Sequence, residues 1–342
     1  MNGALWQLTA VRLREFFREP GTLFWVFAFP ILLALGLGLA FKSGVKPKSP
    51  ILVLQGPQAA ARAQILEEEG SFLVRLADKN EANALLRSGK AILAVGGGEP
   101  VSFMFDPTHP EGEALRDRAD DALQRAAGRR DVIETADVKI TQQGSRYIDF
   151  LIPGLLGMNI MGSSMWGIGW VIVQNRTRKL LKRLVATPMR RRDYLLSHII
   201  ARLAFLAMEV AVMLAFAYWV FDVAVQGSWL AITLLSFVGA MSFAGIGLLV
   251  ASRAKTAETV SGLMNAVMLP MWLLSGVFFS AENFPAWMQP FIQALPLTAL
   301  NDGLRAVMNE GVGLIAVAGP LALLAAWGAV SFGVALKLFR WQ

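Results

Sequence analysis

Catalysis needs titratable, nucleophilic or metal-binding side chains brought together, and this chain has few to offer. Its 342 residues include two histidines, His109 and His198, and no cysteine. Without cysteine there is neither a disulfide framework nor a thiol nucleophile. No HExxH pair and no G-x-x-x-x-G-K-[ST] loop occurs, so neither a zincin site nor a phosphate-cradling P-loop is present. The Gly-rich "VGGGEP" at 95–100 lacks the Lys-Ser/Thr and the helix a phosphate cradle needs, and reads as a strand-end turn. The expectation is a chain with no catalytic residues, no metal and no cofactor of its own.

What chemistry remains is charge. The stretch "RTRKLLKRLVATPMRRRDYLL", Arg176–Leu196, packs eight basic residues and one acid between two long apolar runs. Within it Leu180, Leu181, Leu184 and Val185 recur on one helical face, Lys179, Lys182 and Arg183 flank that face, and Pro188 ends the helix. A basic amphipathic helix this close to the membrane would bind anionic headgroups and fix topology. A second pair, Arg202 and Glu209, stands seven residues apart inside an apolar run, near one helical face. Mutual or interhelical pairing is the structural reading of that pair, a proton pathway the functional one.

The elements that must position these groups are apolar blocks. The composition is 55% hydrophobic and 17% charged, and the apolar residues gather in runs, as in membrane proteins. A helix needs about 20 apolar residues to cross a bilayer. Six blocks reach that length, roughly 21–41, 149–173, 197–221, 229–251, 259–280 and 312–336. The first follows Arg12, Arg14 and Arg18 but is too long for a signal-peptide core and lacks a cleavage site after it. The fold class expected is an α-helical polytopic membrane protein with six transmembrane helices and an inserted small α/β extracytoplasmic domain.

That domain is 42–148. "PILVLQG", "KAILAVGG" and "VSFMFD" read as strands, alternating with three helical patterns, which predicts a partly parallel sheet. Residues 1–20 predict an amphipathic helix lying in the membrane interface, broken from the first span, 21–41, by Pro20. Residues 149–342 hold the other five spans, with a cytoplasmic loop at 174–196. Pro285, Pro290 and Pro296 divide 281–303 into pieces too short to span, which predicts an external segment dipping into the outer leaflet.

The formal charge of +7 could suggest a nucleic-acid ligand, but its distribution argues against one. The short segments on one side hold fifteen basic residues; the two short segments on the other, 222–228 and 281–311, hold only Arg305. By the positive-inside rule both termini are cytoplasmic.

"YIDFLIPGLLG" entering the second block, "LVATPMRRRDYLL" after it and "LLSGVFFSAENFPAWMQPFIQALPLTALNDGLR" near the end make the chain resemble the type-2 permease family of ABC exporters. The resemblance covers nearly the whole chain. It implies a permease subunit of a bacterial-type cytoplasmic (inner) membrane, paired with a second permease copy or paralogue. Two separate ATP-binding cassette ATPase subunits, carrying ATP and Mg, would drive it. The loop after the second span would be the coupling helix, with Arg176, Lys179, Leu180, Leu181, Lys182, Arg183, Leu184 and Pro188 in contact with the ATPase. Family members often carry an acidic residue and a Gly-Thr pair before this leucine face, where this chain has Thr177, Lys179 and Leu180. The second and fifth spans would line the pathway and dimer interface, through Gly154, Gly157, Met161 and Ser164 and through Asn265 and Pro270. The small residues of the second span equally suit ordinary helix packing. The expected cargo is lipid-like, drug-like or a glycan; the alternatives are a secondary transporter and a membrane sensor or scaffold using the external domain.

Overall fold

The computed structural model describes residues 3–42, 48–107, 109, 111–130, 133, 144–177, 191–254 and 256–338. The chain divides into two compact units, Met1–Lys42 with Ile140–Gln342, and Ser43–Lys139.

The first unit is helical. Helix Gly3–Arg18 ends at Glu19, whose backbone is extended, and Pro20 opens the next helix at a position where its missing N–H is not needed. Phe16 stacks on Phe205 at 3.9 Å, so the N-terminal helix lies along the third span. Five helices among the described residues are long and apolar enough to cross a membrane, not six: Pro20–Phe41, Tyr147–Gln174, Ile200–Phe221, Trp229–Ala251 and Leu314–Leu338. The expected block 259–280 forms an 18-residue helix, Ala257–Leu274. Glu258, Thr259, Ser261 and Asn265 dilute its apolar run, and the chain leaves the helix at Ser275 and Gly276, the latter in the left-handed conformation at φ 70°.

The fourth span, Trp229–Ala251, is the centre of this unit. Its glycines let neighbours come close: a Cβ at Gly247 would stand 2.8 Å from the Met165 carbonyl oxygen, at Gly245 2.9 Å from the Phe332 ring, and at Gly239 3.1 Å from the Leu300 side chain. Helices in lipid gain little from apolar burial, so close backbone approach at small residues supplies the packing.

After the Ala257–Leu274 helix come two 3-10 turns, Ala281–Asn283 and Ala286–Met288, a short helix Gln289–Gln293, and a longer helix Pro296–Asn309. Pro290 and Pro296 each sit in the first turn of their helix. Most of the last helix is buried, including Leu297, Asn301 and Leu304, while Trp287 and Phe291 are exposed.

The second unit is a small sheet domain. Strands β1 (Ser49–Leu54), β2 (Phe72–Ala77), β3 (Leu93–Val95) and β4 (Phe103–Phe105) lie in the order β2-β1-β3-β4. β1 pairs in parallel with β2 and β3, and β4 is antiparallel to β3. Helices Ala59–Glu68, Lys79–Arg87 and Gly112–Ala126 connect or cover the strands. β2 has no counterpart in the sequence reading: Arg75 and the exposed Leu73 and Leu76 break any inward-outward alternation on this edge strand.

Candidate functional site

Two polar constellations stand out in the helical unit. One lies inside the apolar spans. Glu209 is fully buried, and Arg202 meets it at 3.4 Å. The second span supplies the remaining partners. Arg202 donates to the hydroxyls of Ser163 at 2.8 Å and Ser164 at 2.7 Å, and Ser163 donates to Glu209 at 2.7 Å. Further hydrogen bonds offset the desolvation of a buried ion pair; the two serines supply them to Arg202 Nη2 and to the Glu209 carboxylate, while Arg202 Nε is buried with no partner among the described residues. One turn nearer the start of the second span, Asn159 donates to the Val26 carbonyl at 3.0 Å. That carbonyl lies four residues before Pro30, which has no N–H to give it, and within the π-turn Phe24–Ala28. Asn159 thus stands in for a helical donor that the first span lacks. The constellation ties the first, second and third spans together.

The other constellation joins two of the three stretches on which the family resemblance rests, the one entering the second span and the one near the end. At the start of the second span, Asp149 accepts from Arg146 Nε at 2.9 Å and Nη2 at 2.7 Å, and from the Gly144 and Arg146 backbone N–H groups. The hydrogen bond to Asp149 raises the Arg146 pKa, against an opposing effect of burial. Arg146 also donates to the carbonyls of Phe221 and Asp222 at the end of the third span. Tyr147 donates to the Phe278 carbonyl at 2.8 Å. Arg305 covers the Phe150 ring at 3.8 Å, donates to the Phe150 and Gly276 carbonyls, and faces Asp302 at 3.5 Å. Asn301 donates to the Ser275 carbonyl at 2.8 Å, and Asn309 to the Asp149 carbonyl at 2.9 Å.

This lock explains the small residues of "YIDFLIPGLLG". A Cβ at Gly154 would stand 2.6 Å from the Val277 carbonyl oxygen, and one at Gly157 2.0 Å from Asn301 Oδ1. Gly154, Gly157, Met161 and Ser164 are all buried within the chain, the glycines against the Val277 turn and the Pro296–Asn309 helix. Asn265 and Pro270 are exposed, on the same side of their helix as Leu269 and Leu273. The six residues therefore do not share one face. Arg176 lies in the helix Tyr147–Thr177, and of its side chain nothing is described; Lys179, Leu180, Leu181, Lys182, Arg183, Leu184 and Pro188 lie outside the described residues. Asn159, Asp149 and Asn301 are functional-site candidates that sequence reasoning missed. A polar residue inside an apolar run was the available signal for Asn159.

Among the described residues no group of three or more His, Cys, Asp or Glu is placed to hold a metal. A model of the family described as ABC-2 family transporter protein matches residues 20–337. The linearmycin resistance permease protein LnrN of Bacillus subtilis is 22% identical over 52% of this chain and 46% of its own length. The probable multidrug ABC transporter permease YbhR of Escherichia coli is 22% identical over 56% of this chain and 52% of its own. ABC transporter G family member 20 of Dictyostelium discoideum is 25% identical over 50% of this chain and 23% of its own. The chain thus spans about half or less of the length of these curated relatives.

Proposed function

Because the chain belongs to the ABC-2 family of transporter proteins, we propose that it is the transmembrane subunit of an exporter powered by a separate ATP-binding cassette ATPase. The observation that carries this reading is the family match over nearly the whole length, on a polytopic helical chain with an inserted sheet domain. In this reading Ala257–Leu274 is the sixth crossing. At about 1.5 Å per residue an 18-residue helix measures about 27 Å, close to the ~30 Å hydrocarbon core. Both termini are cytoplasmic, 42–148 is external, and 281–303 dips into the outer leaflet.

The chain works as a pair with a second copy or paralogue. Asn265 and Pro270 lie on a helix face left exposed by its own chain, which suits a second subunit. Gly154, Gly157, Met161 and Ser164 support that interface from behind. The cargo is amphipathic and drug-like or lipid-like, in line with the linearmycin and multidrug designations of two relatives and with the cost of carrying strong charge through an apolar pathway. ATP and Mg belong to the partner, which engages Arg176–Pro188.

The test is the coupling stretch. Replacing Leu181 and Leu184 by Asp should uncouple ATP hydrolysis from transport and release the ATPase on purification. Lys179→Gln and Lys182→Gln should give milder, salt-sensitive losses. Aspartate variants that keep a bound ATPase and full transport would remove the coupling role. Orientation is read separately: a cysteine placed at the exposed Ala61 should react with an impermeant reagent only from outside.

A further inference from the structure

The third and fourth spans part to leave a groove of about 720 Å³, within the ~300–1,000 Å³ of small-ligand sites. A row of alanines makes the space: Ala207, Ala211 and Ala215 stand four residues apart on one face of the third span and all line it. The lining from Leu203 to Trp219 covers 17 positions of the third span, about 25 Å of helix at 1.5 Å per residue. Its surface is apolar except at marked points. Ser236, 3% exposed, lines it with a hydroxyl that has no partner.

One end of the groove is built for a headgroup. Trp219 and Trp229, both largely exposed, flank it there, and indoles settle at the membrane–water interface. The Phe221–Asp222 turn forms the rim beside them. On it lie the Arg146 guanidinium, its side chain one-third exposed, paired with Asp149 and bonded to the Phe221 and Asp222 carbonyls, and the exposed carboxylate of Asp222, which leaves the rim net negative. An ammonium complements that rim, with its phosphate beside the neutralised Arg146–Asp149 pair, and a hydrocarbon chain complements the groove below it.

We propose that this groove is a resident site for one zwitterionic phospholipid of the outer leaflet, with phosphate toward Arg146, ammonium toward Asp222 and one acyl chain along the alanine row. Ser236 then offers its hydroxyl to the seated chain's ester carbonyl. The bound lipid fills the gap between two spans that their own side chains leave open. The inference rests on the membrane-spanning reading and is independent of the cargo.

The purified full chain, reconstituted in nanodiscs of equal phosphatidylethanolamine and phosphatidylglycerol and then extracted into mild detergent, is examined by native mass spectrometry. One retained phospholipid per chain is expected, with phosphatidylethanolamine favoured. Ala211→Trp, at an exposed position facing the groove, should lower retention at least tenfold. Asp222→Asn keeps a residue that tolerates the left-handed backbone at φ 55° and should retain a lipid but lose the preference. Unchanged retention in Ala211→Trp would overturn the site.

Phosphatidylethanolamine carrying a diazirine on its acyl chain supplies the second readout. Labelling should concentrate on peptides from 203–237, with weaker labelling at the exposed Val330 and Leu336 of the last span. Even labelling of both regions would mean bulk lipid and sink the groove alone. Labelling of neither would sink the membrane-spanning reading, and the groove with it.

Discussion

Adding a single methyl group at Gly157 should destabilise the permease more than its size suggests. The new Cβ would lie 2.0 Å from Asn301 Oδ1 and 3.5 Å from Leu297 Cδ1, where ordinary contact begins near 3.4 Å. Asn301 would have to retreat by well over an ångström. It is fully buried and its amide nitrogen is bonded to the Ser275 carbonyl at 2.8 Å, so no free rotation is open to it. Breaking that buried bond costs about 1–3 kcal/mol, and overpacking a filled site costs about 1–3 kcal/mol more. Together they predict a loss of about 2–6 kcal/mol, or roughly 3–8 °C in the unfolding temperature of a chain this size. The assay is thermal unfolding of the purified protein in detergent at one scan rate, since membrane proteins often unfold irreversibly. Gly162→Ala is the control, because its Cβ would meet only the flexible Met268 Cε at 3.5 Å. In the Gly157→Ala, Asn301→Ala double variant the added methyl occupies the space that Asn301 leaves. The double should be more stable than the sum of the singles predicts. Equal unfolding temperatures for Gly157→Ala and Gly162→Ala, or strict additivity in the double variant, would refute the reasoning.

The intramembrane constellation makes its own predictions. Asn159→Ala should cost about 1–2 kcal/mol by stranding the Val26 carbonyl, and Pro30→Ala, which restores a backbone donor, should recover part of that loss in the same thermal assay. Arg202→Leu should cost about 3–5 kcal/mol because it leaves Glu209 buried and unpaired. The Arg202→Leu, Glu209→Leu double variant should be more stable than either single, and a double variant as unstable as the sum would show that the pair is not energetically coupled. Tyr147→Phe removes the hydroxyl bonded to the Phe278 carbonyl and should lower stability by about 1 kcal/mol, read as a small drop in unfolding temperature against wild type.

How much of this was legible varies element by element. The break at Pro20 was readable because a missing N–H and a fixed φ act locally. The sheet domain was readable from its alternating strands and helices, apart from β2, whose edge position left no apolar alternation to detect. The pairing of Arg202 with Glu209 followed from seven-residue spacing on a helix. Its completion by Ser163 and Ser164 did not, since those hydroxyls come from another helix. The 18-residue length of Ala257–Leu274 was also hidden, because apolar residues continue past Leu274 while the backbone turns away at Ser275 and Gly276.

By itself the amino-acid sequence determined the membrane character, the inserted domain and the family, because hydrophobic run length, period and motif are properties of the chain in one dimension. Only the tertiary structure decided what the motif residues are for. Gly157 meets Asn301, Tyr147 meets Phe278, Asn159 meets Val26 and Arg305 meets Phe150, each across more than a hundred residues of chain. A glycine in the sequence shows that something must come close, and the fold alone supplies which atom does.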